Sequence, residues 1–129
     1  MIKGIGIDMI EVDRVKRLAE KNPRFLKRIF TSREAEYCLE KKNKYLHLAA
    51  RFAAKEAFFK AIGKRIVWRD VELINLPSGK PQLEIRQKEC FAFDEVHVSI
   101  SHLADYALAV VILEKGRKRK GRSPFKQLA

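Results

Sequence analysis

The chain has 129 residues, 47% of them hydrophobic and 34% charged, and its 28 Lys and Arg against 16 Asp and Glu leave a formal charge of +12. That length suits one domain with a real core; no run approaches the roughly 18 apolar residues of a membrane span, and Cys38 and Cys90 have neither CxxC spacing nor histidines at zinc-site intervals. Disordered, fibrous, membrane-spanning and disulfide-scaffold classes are therefore excluded, and the cysteines read as isolated thiols in a reducing cytoplasm.

Charge is unevenly placed. Residues 115–129 hold seven Lys/Arg and no acid, leaving a formal +5 for residues 1–114. The chain is accordingly divided into a single domain over 1–114 and a basic C-terminal tail over 115–129. Met1-Ile2-Lys3 runs into apolar sequence without a small-residue cleavage site, so no signal peptide is expected. Residues 2–8 set Ile2, Ile5 and Ile7 around two glycines; a short buried strand fits, the glycines marking close approach of another backbone or a ligand. From Glu11 to Lys21, Val12, Val15, Leu18 and Ala19 recur at helical spacing, and Asn22-Pro23 ends that helix. Arg24–Phe30 predicts another helical turn or two. Thr31-Ser32-Arg33-Glu34 is a capping-box pattern, starting a helix that runs to about Lys42.

The alanine-rich stretch from Tyr45 to Ile62 predicts the longest helix, stopped by Gly63. Strands follow: Val71–Leu76 and Gln82–Arg86 flank the turn residues Pro77-Ser78-Gly79-Lys80-Pro81, Val96–His102 alternates, and Tyr106–Leu113 is almost continuously apolar. A strand, several helices and then antiparallel strands define an α+β fold.

Three residues stand out chemically. At 100° per residue, Glu56 shares its helix face with Ala49, Phe52, Ala53, Phe59 and Gly63. A carboxylate so placed is either paired with Lys60 one turn on or a ligand for a hard cation. Asp8 stands at the end of the first strand, as an Asx turn or helix cap or as a second metal carboxylate. The Gly-x-Gly before it lacks the P-loop lysine and the full dinucleotide pattern. His102 leaves a strand whose Val96, Val98 and Ile100 face one way and His97, Ser99 and Ser101 the other; a plain hydrogen-bonded histidine is the commoner reading, and no Ser-His-Asp triad is established. Between 14 and 28, seven basic residues (Arg14, Lys16, Arg17, Lys21, Arg24, Lys27 and Arg28) face the single acid Glu20, a surface suited to an acidic protein, a polyphosphate or nucleic acid.

Gly4-Ile5-Gly6-Ile7-Asp8 with Arg14 following, Phe30-Thr31-x-x-Glu34, Arg51-Phe52-Ala53-Ala54-Lys55-Glu56-Ala57 and Ser99-Ile100-Ser101-His102 together resemble the holo-(acyl-carrier-protein) synthase family of 4′-phosphopantetheinyl transferases, in family order and across nearly all of residues 1–114. The basic extension departs from that compact pattern. The resemblance implies the transferase fold and transfer of 4′-phosphopantetheine from coenzyme A to a serine of apo acyl carrier protein, releasing adenosine 3′,5′-bisphosphate, in fatty acid biosynthesis. It implies Mg²⁺ held by Asp8 and Glu56, and a cytoplasmic homotrimer with active sites between subunits. Under it, Glu56, Lys60 and His102 are catalytic, while Asp8, Arg51, Glu56, Lys60 and His102 contact the metal or coenzyme A. Arg51 would act across a subunit boundary. The base that takes the serine proton is Glu56 or a metal-bound water. Arg14, Arg17, Lys21 and Arg24 form the dock for the acidic carrier.

Two other classes share parts of this pattern. A small nucleic-acid-binding protein is disfavoured, because no RRM, KH or zinc-finger signature accompanies the basic tail. A metal-dependent phosphohydrolase would use the same carboxylates with water as nucleophile.

Overall fold

The computed structural model describes residues 1–116, so most of the basic tail, 117–129, lies outside the described residues. Its first strand, β1 (Ile2–Glu11), continues past the expected end at Asp8. The buried side of β1 also differs from expectation. Gly6 and Ile10 are buried, whereas Ile2, Ile5, Ile7 and Met9 are exposed. The glycines explain the inversion. An added Cβ would lie 2.2 Å from the Ala61 carbonyl oxygen at Gly4 and 1.9 Å from that of Ala57 at Gly6. The glycine face is therefore pressed directly onto a helix backbone, and strand alternation turns the isoleucines outward.

That helix is α4 (Lys44–Ile62), preceded by α1 (Val12–Lys21), α2 (Phe25–Ile29) and α3 (Ser32–Leu39). Helix α1 buries Val15 and half-buries Val12, Leu18 and Ala19, the stripe its spacing predicts. Its first amide, Val12 N, donates to Asp105 O at 2.9 Å. Helix α3 opens with the expected capping box: Thr31 Oγ1 accepts from Glu34 N at 3.2 Å, and Thr31 N donates to Glu34 Oε1 at 3.0 Å. It ends at Leu39, short of Lys42. Gly63, in the left-handed region at φ 78°, terminates α4 as expected.

After a 3₁₀ turn at Trp68–Asp70 come β2 (Val71–Asn75) and β3 (Pro81–Ile85), the expected hairpin. A second 3₁₀ turn at Lys88–Cys90 leads to β4 (Glu95–His102) and β5 (Tyr106–Glu114). The larger sheet has the antiparallel order β1-β5-β4, so the N-terminal strand pairs with the last one. This is the α+β architecture the element order predicts.

Helix α4 lies across one face of that sheet. Leu48, Ala49, Ala53, Ala54, Ala57 and Phe58 are fully buried, and burying a side chain such as Leu48 or Phe58 contributes about 1.5–3 kcal/mol. Phe52 stacks on Trp68 with ring centroids 5.1 Å apart, and Phe58 meets the edges of Phe91 and Phe93. The buried charges among the described residues are Lys55, Glu34 and Arg51 rather than Glu56. Lys55 Nζ donates to Glu34 Oε1 at 2.7 Å, to Trp68 O at 3.2 Å and to Val71 O, while Glu34 Oε2 accepts from Leu73 N at 3.0 Å. One ion pair thus ties α3, α4 and β2 together. Burial pushes the Lys55 ammonium below its ordinary range against the pull of Glu34. Free Cys38 is also buried, and the same desolvation pushes its thiol up to about 11.

Candidate functional site

Asp8 is placed by the contact between β1 and α4. It lies inside β1, opposite Ala109 of β5, rather than at the strand end. It caps nothing: the residue before α1 is Glu11, which makes no side-chain cap. Being two residues from Gly6, it shares the face pressed against α4, and its side chain is 15% exposed. Lys60 Nζ donates to Asp8 Oδ1 at 3.1 Å and to Ile7 O at 2.9 Å. Burial raises the Asp8 carboxyl above its usual range despite Lys60, and the negative charge of Glu56 adds to the rise.

The two carboxylates singled out in the sequence therefore meet across one helix–strand contact. Glu56 is also 15% exposed, and its partner is Arg65 rather than Lys60: Nη1 donates to Oε1 at 2.8 Å and Nη2 to Oε2 at 3.3 Å. The i,i+4 pairing is overturned because Lys60 reaches across to β1. Arg65 went unread in the sequence, since only the left-handed turn at Gly63 brings the chain back beside Glu56.

This donor set fits Mg²⁺. Two carboxylates with hard oxygens flank the contact between β1 and α4, each side chain 15% exposed, and the Glu56 charge adds to the larger effect of burial on Asp8. Lys60 and Arg65 neutralise them here. Glu95, His97 and Glu114 also bring potential ligand atoms within 4.8 Å of one another, but at the far end of the sheet's outer face. There His97 Nε2 lies 3.1 Å from Glu114 and 3.6 Å from Glu95, a surface ion-pair cluster unconnected with Asp8.

Arg51 is not brought to the carboxylates within one chain. Five residues before Glu56 on α4, it is itself buried; Nη2 donates to Asn75 Oδ1 at 2.7 Å and the guanidinium lies 4.5 Å from the Tyr37 ring centroid. Its Nε is buried with no hydrogen-bond partner among the described residues. Asn75 also donates to Gly79 O at 3.1 Å, coupling Arg51 to the β2–β3 turn. His102 is exposed at the end of β4, separated from β1 by β5, and its side chain makes no hydrogen bond among the described residues. Burial, then the neighbouring Arg51 and Lys41 charges, lower the His47 pKa. Neither Arg51 nor His102 makes a hydrogen bond or ion pair to Asp8 or Glu56 among the described residues.

Arg14, Arg17, Lys21 and Arg24 are all exposed. Arg17 pairs with Asp13 at 3.0 Å, both side chains open to solvent. The charge of Arg14 reaches Asp8, so the basic surface adjoins the carboxylate cleft. Among the described residues no helix is long and apolar enough to cross a membrane.

A family model, the 4′-phosphopantetheinyl transferase superfamily, matches residues 4–111. The chain is similar to the holo-(acyl-carrier-protein) synthase of Geobacillus sp. (strain WCH70), at 45% identity over 121 residues covering 89% of this chain and 98% of the relative. Among solved structures it resembles the holo-(acyl-carrier-protein) synthase of Bacillus anthracis str. Ames in complex with CoA (3′,5′-ADP), with TM-score 0.78 and 38% identity over 90% of this chain and 99% of that one. The synthase of Neisseria meningitidis superposes with TM-score 0.82 at 34% identity, covering 89% and 100% of the two chains.

Proposed function

The chain belongs to the 4′-phosphopantetheinyl transferase superfamily, and we propose that it is a holo-(acyl-carrier-protein) synthase, moving 4′-phosphopantetheine from coenzyme A to the acceptor serine of apo acyl carrier protein for fatty acid biosynthesis. The observation that carries this reading is the meeting of Asp8 and Glu56 across the glycine contact between β1 and α4, with Lys60 at the same cleft. The serine oxygen, giving up its proton to Glu56 or a water, attacks the β-phosphorus of coenzyme A, the bond to the bridging oxygen breaks, and adenosine 3′,5′-bisphosphate leaves with the electron pair. Asp8 and Glu56 would hold Mg²⁺, which when bound supplies neutralising charge to the pyrophosphate.

Lys60, whose side chain is 55% exposed, would contribute a second positive charge to the pyrophosphate. Buried Arg51, with an unpartnered Nε and Asn75 beside it, suits a phosphate of coenzyme A. His102 would contact phosphate or order the site. With β5 between His102 and β1, and Arg51 bonded to Asn75, our reading completes the site from a neighbouring subunit.

The outer sheet face supports that assembly. Ile5, Ile7 and Met9 of β1, each more than half exposed, adjoin Leu108, Val110 and Ile112 of β5. A contiguous apolar face of this kind is the usual mark of a protein interface, and a homotrimer built on it is our reading. Residues 1–114 form the catalytic domain and 115–129 its basic extension. The α1–α2 surface of Arg14, Arg17, Lys21 and Arg24 docks the acidic carrier, and the enzyme works in the cytoplasm.

The deciding experiment is mass spectrometry of apo carrier protein incubated with the enzyme. A gain of one phosphopantetheine that requires both coenzyme A and Mg²⁺ supports the transferase. Hydrolysis of coenzyme A without carrier modification would replace it with a phosphohydrolase.

A further inference from the structure

Arg65 has a contact whose chemistry conflicts with metal binding. The turn at Gly63 carries it back so that its two terminal nitrogens engage both oxygens of Glu56, at 2.8 and 3.3 Å. Its guanidinium carbon lies 5.8 Å from the Phe59 ring centroid and 5.6 Å from that of Trp68, contacts that help orient it. Paired donors on a carboxylate are the strong, geometrically specific form of an ion pair. A divalent cation held by Glu56 needs at least one of those same oxygens. Arg65 itself remains 65% exposed, free to turn into the adjoining cleft lined by Phe59, Lys60, Gly63 and Lys64.

We propose that Arg65 is an exchangeable latch on Glu56. In the metal-free protein its fork holds both carboxylate oxygens and steadies Glu56 beside Asp8. On divalent-ion binding it gives up an oxygen, and its positive charge becomes available to the pyrophosphate of the incoming substrate. Arg65 is thus a positioning residue whose partner changes during loading. This inference rests on the metal reading of Asp8 and Glu56.

The test is direct binding of Mn²⁺, followed by electron paramagnetic resonance of the free ion without substrate. Arg65→Ala should bind Mn²⁺ about threefold to fivefold tighter than the native protein, the upper end of the scale expected for losing a partly exposed competing pair. Lys64→Ala removes a charge one residue away that makes no ion pair among the described residues, and should change affinity less than twofold. Arg65→Lys keeps the charge but loses the fork, so it should fall between; it also serves if Arg65→Ala misfolds by circular dichroism. Calorimetry should show coenzyme A binding several-fold weaker to Arg65→Ala.

If Mn²⁺ binds the native protein and is lost in Glu56→Gln, yet Arg65→Ala and Lys64→Ala bind it alike, the latch is wrong and the metal site stands. If neither the native protein nor Arg65→Ala binds Mn²⁺, the metal site fails and the latch fails with it.

Discussion

Substitution of Gly6 by alanine tests whether the helix–strand contact sets the geometry of the site. The added Cβ would fall 1.9 Å from Ala57 O and 2.9 Å from Ala57 C and Ala61 N, where real Cβ contacts stay beyond 3.0 Å. All three atoms are backbone, so no side chain can rotate away. Strand and helix must separate by about 1.1 Å at this point. Asp8 is two residues beyond Gly6 on the same face, and Glu56 immediately precedes Ala57, so the opening moves the two carboxylates apart by a similar distance. A displacement of about 1 Å in a positioned site costs on the order of 100-fold in rate, and overpacking typically destabilises by about 1–3 kcal/mol. Mass-spectrometric phosphopantetheine transfer should therefore fall about 100-fold in Gly6→Ala, with Mn²⁺ binding weakened in parallel and the circular dichroism spectrum retained. Lys3→Ala, at an exposed position of the same strand, controls for strand propensity. Transfer at half the native rate or better in Gly6→Ala would refute the argument that this contact sets the site.

Lys55→Met should lower stability by about 3–5 kcal/mol in denaturant titrations at fixed protein concentration, since it strands Glu34 and two backbone carbonyls in the core; a loss below about 1 kcal/mol would mean the pair is hydrated. Asp8 holds its proton more tightly when folded than when unfolded, so at neutral pH its charge works against folding. Asp8→Asn should then raise the metal-free Tm at pH 7 while abolishing Mn²⁺ binding, and the Tm difference should vanish as pH falls through the raised Asp8 range. Arg17→Glu should slow transfer at low carrier concentration, and added salt should depress the native rate, because screening acts over roughly 10 Å at 0.1 M. A chain ending at Lys115 should keep most transfer; if it loses carrier use while Arg14→Glu and Arg17→Glu retain it, the dock lies in the tail. Ile5→Asp on the outer sheet face should sediment as a monomer near 15.0 kDa with little transfer, and an active monomer would defeat the intersubunit site.

Much of this molecule is written locally. The alanine-rich run, the capping box at Thr31 and the glycine stop at Gly63 report the conformation of a few neighbouring residues, and they led to α3, α4 and the α+β class without reference to the rest of the chain. Asp8 and Glu56 were legible as anomalies for the same reason: each is a charge set in apolar surroundings. Other features depend on which distant backbone comes near, and that information is nonlocal. The isoleucines of β1 read as core because apolarity alone cannot say which face of a strand meets a helix. The glycine contacts with Ala57 and Ala61 decided it, sending Ile5 and Ile7 outward. Lys60 looked like the partner of Glu56 at helical spacing, yet it bonds Asp8 52 residues away, while Arg65 comes around the end of the helix to take its place. Lys55 and Glu34 gave no local sign of being the fully buried charges, because burial of a charged side chain depends on the acceptors gathered from α3, β2 and the Trp68 turn. Sequence spacing fixes which groups share a face, but only the packed chain determines which face is covered and which charge lies opposite, because close approach and desolvation arise between segments far apart in sequence.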